Sequence, residues 1–415
     1  LTVTLTAEAL VWQKIAREVA EKYVRPRAAE CDRKAVYNFE GMAAAGEAGL
    51  LSVWIPKEYG GAGAGILSLA VVVEELARAD SGFGVAFAVN ALGSFPLLVG
   101  GTEEQKRRYL PRIAQGKALI SFALSEKNAG SDAQSLRVRA IEDGDSYVIH
   151  GEKKWNTGGP VSDLFTVFAV TDPSSKSRRI SAFLVEKGTP GLEIGKVEPA
   201  MGIRTIPVSE THFKGVRVPK SQLLGGAPGL GFAHAMKTLD WARPGVASQA
   251  VGAAQGALDY ALVYANRRQA FGAPISSFQM VQKMLADMAM KTESARWLVY
   301  AAASAVDRQD PALTKMSAMA KCYACDIAVE VATDAVQVFG GYGFMEDYPV
   351  AKFYRDAKIL QIYEGTNQIQ RLVIARNLIK EVAGLSHLDA YIPKEVQRDH
   401  LPAAEGKVPQ GTPGA

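Results

Sequence analysis

The decapeptide Ile362 to Arg371, IYEGTNQIQR, sets one carboxylate, Glu364, between an aromatic ring and a glycine, just ahead of a stretch that reads as a helix. Thr366 is a candidate N-cap and Gly365 a hinge, which places Glu364 on a turn at the mouth of that helix. Two influences on its proton affinity oppose each other. The helix N-terminus favours the carboxylate, whereas burial beside Tyr363 and an apolar ligand favours the neutral acid. A general base working near neutral pH needs the second to dominate. An acid that simply stabilises the start of a helix, by about a few tenths of a kcal/mol, accounts for the string equally well.

Four further strings could bear chemistry. LSEKNAGSD, Leu124 to Asp132, lies where a strand gives way to loop, and its small residues would let backbone N–H groups approach a ligand; an ordinary turn explains it as well. KKWNTGG, Lys153 to Gly159, puts Trp155 two residues before Thr157 at a strand end, so an aromatic plate and a hydroxyl could meet a flat ligand on one face. A tryptophan in such a place is more often core. DWARPG, Asp240 to Gly245, brings an acid and an arginine to i, i+3 spacing in an apolar helical context, where a surface ion pair is the plain explanation. RRQAFG, Arg267 to Gly272, ends a helix with two arginines, which the macrodipole favours without any ligand and which an arginine fork could equally turn toward a phosphate.

Missing motifs narrow the field. GGAGAGI and GGYGFME each fail to complete a G-x-G-x-x-G, at Ile66 and at Glu346, and no P-loop, G-x-S-x-G elbow or H-E-x-x-H occurs. The five histidines are dispersed. Cys322 and Cys325 form a C-x-x-C with no second pair and no nearby histidine, in a segment of helical pattern, so they read as small core residues.

The elements that must position these groups follow from composition and periodicity. The chain has 415 residues, 48% of them apolar and 22% charged, with a formal net charge of +4. At about 150 residues per domain that suggests two or three units with room for a cleft between them, and the charge bias is too weak to imply a nucleic-acid partner. Three cysteines cannot build a disulfide framework, which favours a reducing compartment. The first residues alternate charged and apolar positions at helical spacing and lack the apolar core of a signal peptide. Ser81 to Thr102 carries no charge, but its glycines, Asn90, Ser94 and Pro96 suit a helix buried in protein better than one facing lipid.

Residues 1–118 read as helices, with Thr102 as an N-cap and Pro111 as a kink or end. From 119 the pattern becomes short alternating strands around Asp143-Gly144, a hairpin signal, and LFTVFAV, ISAFLVEKG, LEIGKVE and THFKGVRVP continue it. That predicts an antiparallel β domain, barrel or sandwich, over 119–226. LLGGAPGLG leads back to long helical segments over 227–383, rich in Gly and Ala as in a tight bundle. The last helix carries Ile369, Leu372, Val373 and Arg376 on one stripe, and 384–415 read as a loosely ordered tail. The order α, β, α without βαβ alternation argues against a doubly wound nucleotide fold.

Taken in this order, LSEKNAGSD, KKWNTGG, RRQAFG, VFGGYGFMEDYPVAKFYRDAK and IYEGTNQIQRLVIAR resemble the acyl-CoA dehydrogenase family, in its short-chain, medium-chain or branched-chain types, over about residues 5 to 382. The resemblance implies an α+β fold: an N-terminal helical domain, a central antiparallel β-barrel domain and a C-terminal four-helix bundle. FAD and an acyl-CoA thioester would meet between them, in a homotetramer whose subunits help bind each other's FAD. Glu364 would remove the α proton of the thioester while the β hydrogen leaves as hydride to flavin N5, giving a trans-2-enoyl-CoA. The backbone N–H of Glu364 and a ribityl hydroxyl of FAD would bond the thioester oxygen, an oxyanion-hole arrangement. Electrons would pass to an electron-transfer flavoprotein.

On the same resemblance, Phe122, Leu124, Ser125, Trp155 and Thr157 match flavin contacts, as do Thr366 and Gln368 for FAD. Arg268, Phe271, Gln279, Gln337, Gly340 and Gly341 match positions that a neighbouring subunit offers to the ADP half. Ser131, Asp240, Arg243, Gly365 and Arg376 match positions near CoA. Some members carry the base at a position aligned with Ala242, which alanine cannot serve. The common TEPGAGSD stands here as SEKNAGSD, keeping a hydroxyl and losing a proline. An arginine that holds a distal carboxylate in glutaryl-CoA dehydrogenases would fall near Gly84, so a dicarboxylyl substrate is disfavoured, and Val85, Phe87 and Ala88 suggest an apolar acyl pocket. An oxidase on the same fold and a protective, DNA-associated flavoprotein are the competing readings; the mixed charge of the tail and the intact Glu364 speak against the latter. The expected location is a bacterial cytoplasm, or a mitochondrial matrix after removal of a leader. No membrane or nucleic-acid partner and no metal are expected.

Overall fold

Residues 5–392 are described in the computed structural model of the chain. Six α-helices come first: α1 (Ala7–Val19), α2 (Ala28–Lys34), α3 (Phe39–Glu47), α4 (Gly65–Ala79), α5 (Ser81–Gly100) and α6 (Glu103–Ala114). The uncharged α5 is long and apolar enough to cross a membrane, yet most of it is enclosed by protein, as its polar and small residues predict. A Cβ on its Gly84 would lie 2.7 Å from the Ala77 side chain, so the glycine lets α4 and α5 approach. At α6 the Thr102 hydroxyl accepts from Gln105 N at 3.2 Å and the Gln105 side chain accepts from Thr102 N at 3.0 Å, a capping box. Pro111 lies inside α6, which stops within a turn of it. Thr102→Ala removes one half of that box and is expected to cost about 1 kcal/mol, read as a lower denaturant midpoint.

Strands β1 (Ile120–Ala123), β2 (Arg139–Asp143), β3 (Ser146–Thr157), β4 (Leu164–Val170), β5 (Ile180–Glu186), β6 (Leu192–Val197) and β7 (Val208–Pro219) form one sheet. The hairpin turns at Gly144, φ 57°, where the sequence placed it. Two expectations are corrected. The sheet is mixed: β4 runs parallel to β1 from Ile120↔Leu164 to Ala123↔Val167, and meets β2 in parallel at Arg139↔Val170. It is also open among the described residues, in the order β1-β4-β2-β3-β7-β6 with β5 on β4, so it is not a closed barrel. Alternation tells which face a residue takes but not the direction of a distant partner strand.

Every residue of β4 is buried, because the strand faces two cores. Phe165, Val167 and Ala169 pack with Tyr147, Ile149, Phe213, Val216 and Val218 inside the β domain. Leu164, Phe168 and Val170 join the helical core, and β5 divides the same way, Phe183 and Val185 against Ile180, Ala182 and Leu184.

After a short β8 (Gln269–Ala270) and β9 (Ala273–Pro274) pair, the C-terminal part is helical: α7 (Gly231–Arg267) before that pair, then α8 (Gln279–Asp307), α9 (Leu313–Phe339), α10 (Pro349–Leu360) and α11 (Asn367–Glu381). α7, α8, α9 and α10 pack around one another and α11 lies on α9. α7 passes through Pro244 as one helix, and a Cβ on its Gly256 would lie 2.5 Å from Arg78 O, which is why this segment is rich in small residues. Cys322 and Cys325 are buried on α9 as core residues, and no metal-binding cluster occurs among the described residues. Of the tail read from 384, residues to Tyr391 belong to a 3-10 helix, Val382–Tyr391; those from 393 lie outside the described residues.

One buried ionic cluster ties the three parts together. Lys352 Nζ on α10 donates to Asp80 at 2.6 Å and Asp356 at 2.5 Å; Asp80 also accepts from Thr205 Oγ1 at 2.8 Å and Asp356 from Ile203 N at 2.5 Å. A buried cation bonded to two carboxylates fixes geometry more than it adds net stability.

Candidate active site

The helical parts and the sheet meet at a cavity of about 510 Å³. α4 and α5 supply apolar wall, including Leu69, Val85, Ala88, Val89 and Phe95; the end of β1 and the loop after it supply Phe122, Leu124, Ser125 and Ser131. The end of β3 brings Trp155 and Thr157, α7 brings Ala242, Arg243, Val246 and Gln249, and the turn before α11 brings Tyr363, Glu364 and Gly365. Ile369, Val373 and Arg376 of α11 complete it, so the stripe read on that helix faces the cavity, while Leu372 is exposed.

Glu364 has φ 51° and Gly365 φ 89°, two successive left-handed residues, of which only the glycine adopts this without strain. Thr366 caps α11, its hydroxyl accepting from Ile369 N at 3.2 Å, and Gln370 Nε2 holds the carbonyl of Gly365 at 3.0 Å and that of Glu364 at 3.3 Å. Among the described residues the N–H of Glu364 has no acceptor. Its Oε2 is sealed from water and has no partner. Burial pushes the Glu364 carboxyl up to about 7, against the charges of Lys321 and Arg243, which pull it down. Of the two opposed influences, burial prevails, and the acid is poised to exchange a proton near neutral pH.

Family models match most of the chain: the acyl-CoA dehydrogenase N-terminal domain over residues 6–117, the middle domain over 121–216 and the C-terminal domain over 229–379. The chain belongs to the acyl-CoA dehydrogenase family. It is 50% identical over 364 residues to "Probable acyl-CoA dehydrogenase fadE25" of Mycobacterium leprae, covering 88% of this chain and 93% of that one. Its fold is similar to that of butyryl-CoA dehydrogenase from Megasphaera elsdenii, with TM-score 0.88, 41% identity and coverage of 91% of this chain and 99% of the other. It is similar also to a chain from work on the electron transferring flavoprotein of Acidaminococcus fermentans, with TM-score 0.89, 45% identity and the same two coverages. The protein is thus an oxidoreductase acting on acyl-CoA, in a family that depends on flavin.

Within this acyl-CoA dehydrogenase most of the sequence-derived residues line one of two hollows, and the rest lie outside both. Phe122, Leu124, Ser125, Ser131, Trp155, Thr157, Arg243, Gly365 and Arg376 share the cavity with Glu364, as does Ala242. Asp240 stands behind the wall, bonding Arg243 at 2.7 Å and accepting from Thr314 Oγ1 at 2.7 Å. Arg268, Gly340 and Gly341 line a second hollow of about 430 Å³ with Tyr264, Phe339 and Tyr342. Nearby in sequence, Phe271 projects from the β8–β9 turn at 98% exposure, Gln279 opens α8 and Gln337 lies in the last turn of α9, both exposed. Thr366 is occupied as a cap and Gln368 faces outward; neither lines the cavity.

Three local readings change. Trp155 and Thr157 do reach one cavity, but through a β-bulge: the β3–β7 register slips between Lys153 and Asn156, and Trp155 has φ 61°. Phe87 does not line the acyl wall; it is fully buried, edge-on to Trp54 at 5.8 Å, while Val85 and Ala88 line it. Gly84 packs on Ala77 rather than on the cavity. Sequence reasoning also passed over Gln249, which accepts the Tyr363 hydroxyl and donates to Ser81 O at 2.9 Å, and Lys321, fully buried on α9. The available signal for Lys321 was a lone lysine inside the run of small apolar residues AMAKCYAC.

Proposed function

We propose that this acyl-CoA dehydrogenase uses FAD to convert an acyl-CoA thioester into its trans-2-enoyl-CoA, with Glu364 as the base for the α proton and an electron-transfer flavoprotein as the acceptor. The observation that carries this reading is the setting of Glu364: a sealed Oε2 without a partner, on a left-handed turn, with its carboxyl raised to about 7. A thioester α proton is weakly acidic, so a base that is partly ionised at neutral pH must be matched by donors for the developing oxyanion. The N–H of Glu364, without an acceptor among the described residues, supports that second role.

The residues present fit a flavin. Phe122, Leu124 and the bulged Trp155 offer apolar and aromatic surface to a flat ring, and Ser125 and Thr157 set hydroxyls beside it. When bound, FAD supplies the acceptor for the hydrogen and electron pair that leave the β carbon. Ser131, Gly365, Arg376 and the Asp240-held Arg243 would meet the CoA moiety, and the charge-free wall of α4 and α5 would take an apolar acyl chain. Arg268, Gly340 and Gly341 of the second hollow, with Phe271, Gln279 and Gln337, would serve the ADP half of a neighbour's FAD in a homotetramer, with Thr366 and Gln368 as further FAD contacts. Trp155, 56% exposed, gives the cavity an aromatic edge open to the flavoprotein partner. Three buried, unpaired cysteines suit the reducing interior of a bacterium or of the mitochondrial matrix.

Anaerobic titration with straight, branched, alicyclic and dicarboxylyl CoA thioesters tests the reading. One or more apolar thioesters should bleach the flavin and the dicarboxylyl ones should not. Bleaching by dithionite alone would overturn it.

A further inference from the structure

α9 carries a cation that the proposed reaction does not use. Lys321 is fully buried, and its ammonium donates to Gly365 O at 2.8 Å and to Asn367 Oδ1 at 3.0 Å. Asn367 is held in turn: its amide donates to Cys322 O at 3.0 Å and to Asp326 at 2.7 Å, and Asp326 accepts from Arg371 at 2.6 Å and Gln361 at 2.7 Å. The helix thus grips the turn on both sides of Thr366, at the residue directly after Glu364 and at the first residue of α11.

That grip bears on the base in two ways. Left-handed backbone at Glu364 is intrinsically unfavourable and persists only where its surroundings over-determine it. Lys321 and Gln370 together occupy the Gly365 carbonyl, which fixes the peptide between Gly365 and Thr366, and Gln370 also reaches the Glu364 carbonyl, so the two peptides after Glu364 are both held. A buried ammonium is also a charge in a medium of low polarity, where it acts strongly on a carboxylate one residue from its ligand. The groups facing Glu364 are few: Arg243 from α7, engaged by Asp240; Lys321, itself beside Cys322, and Cys325 from α9; Tyr363 beside it; and Asp132 and Arg376 on the cavity wall. α5 brings no titratable group.

We infer that Lys321 is a positioning residue of this enzyme, which locks the left-handed turn that aims Glu364 and sets a buried positive charge beside that base. The inference rests on Glu364 being the base. Lys321 is the larger of the two charges that oppose the effect of burial on Glu364, ahead of Arg243. Without it only Arg243, already engaged by Asp240, would oppose burial, and the base would stay protonated to higher pH.

The test compares the FAD-loaded wild type with Lys321→Met, Lys321→Gln and Lys321→Arg. Infrared spectroscopy follows the carbonyl band of protonated Glu364 against pH, with Glu364→Gln as the blank. Lys321→Met should raise the midpoint by about one pH unit, which leaves roughly fivefold less carboxylate at neutral pH. Lys321→Gln can still donate to Gly365 O but has no charge, and should shift the midpoint likewise, which keeps the test open if the Met variant does not fold. Lys321→Arg should return it toward wild type. Flavin bleaching by a saturating acyl-CoA should slow about fivefold at neutral pH in the two neutral variants and recover in more alkaline buffer, with KM little changed. An unchanged midpoint in both neutral variants would overturn the inference. If no acyl-CoA bleaches even the wild type, the proposed function fails, and the infrared midpoints still decide what Lys321 does.

Discussion

Glu364→Gln is expected to keep its fold and its FAD while reduction by acyl-CoA slows by roughly two to four orders of magnitude, the usual share of a general base. The change is nearly isosteric, and Oε2 has no hydrogen bond to lose. The turn is held by carbonyl contacts to Lys321 and Gln370 and by the Thr366 cap, none of which involves the carboxylate. What disappears is the ability to take a proton. Ala242, which lines the same cavity, has no group that could take the proton instead. Stopped-flow reduction under nitrogen checks this, with dithionite as control for intact flavin. Turnover near the wild-type rate would place the base elsewhere.

The same substitution should stabilise the protein, in a pH-dependent way. Glu364 titrates at about 7 in the folded chain against a reference of 4.5. Below the lower value both states hold the proton and the residue is neutral to stability. Between the two, the unfolded chain has released its proton while the folded chain retains it, so stability falls as pH rises. Above the folded value both are ionised and the full cost of a buried carboxylate stands, about 3 kcal/mol at most. Glutamine escapes that cost. Unfolding midpoints of wild type and variant should therefore differ most in mildly alkaline buffer, the variant being the more stable, and converge toward the acid end of the range. An offset that does not vary with pH would contradict the assignment. Loss of activity joined to gain of stability is what an ionisable group retained for chemistry should show.

The order of elements was legible because periodicity changes twice, from helical to alternating near residue 119 and back after LLGGAPGLG. The hairpin at Asp143-Gly144 and the cap at Thr366 were legible because their chemistry is local. The parallel pairing of β1 with β4 was not, since it joins segments on either side of a complete hairpin and depends on the helical domain delivering β1. The bulge at Trp155 was hidden for a related reason: a slipped register belongs to two strands, and one strand's pattern cannot show it. Around Glu364, the string identified the acid, its hinge and its cap, but not the strength of its burial or the cation beneath it. Lys321 is distant in sequence and meets the turn only when α9 and α11 are packed.

Strands β4 and β5 act as a partition with a tenant on each side, seven residues apiece serving both the interior of the sheet and the helical core. The three segments that family comparison distinguishes are therefore not separable bodies. Cut free at its boundaries, the middle segment would turn Leu164, Phe168, Val170, Ile180 and Leu184 toward water, an oily wall with no neighbour. The helices, deprived of it, would lose the floor of the cavity that Glu364 faces. Modularity in this chain is a property of its lineage; as a physical object it stands or falls whole.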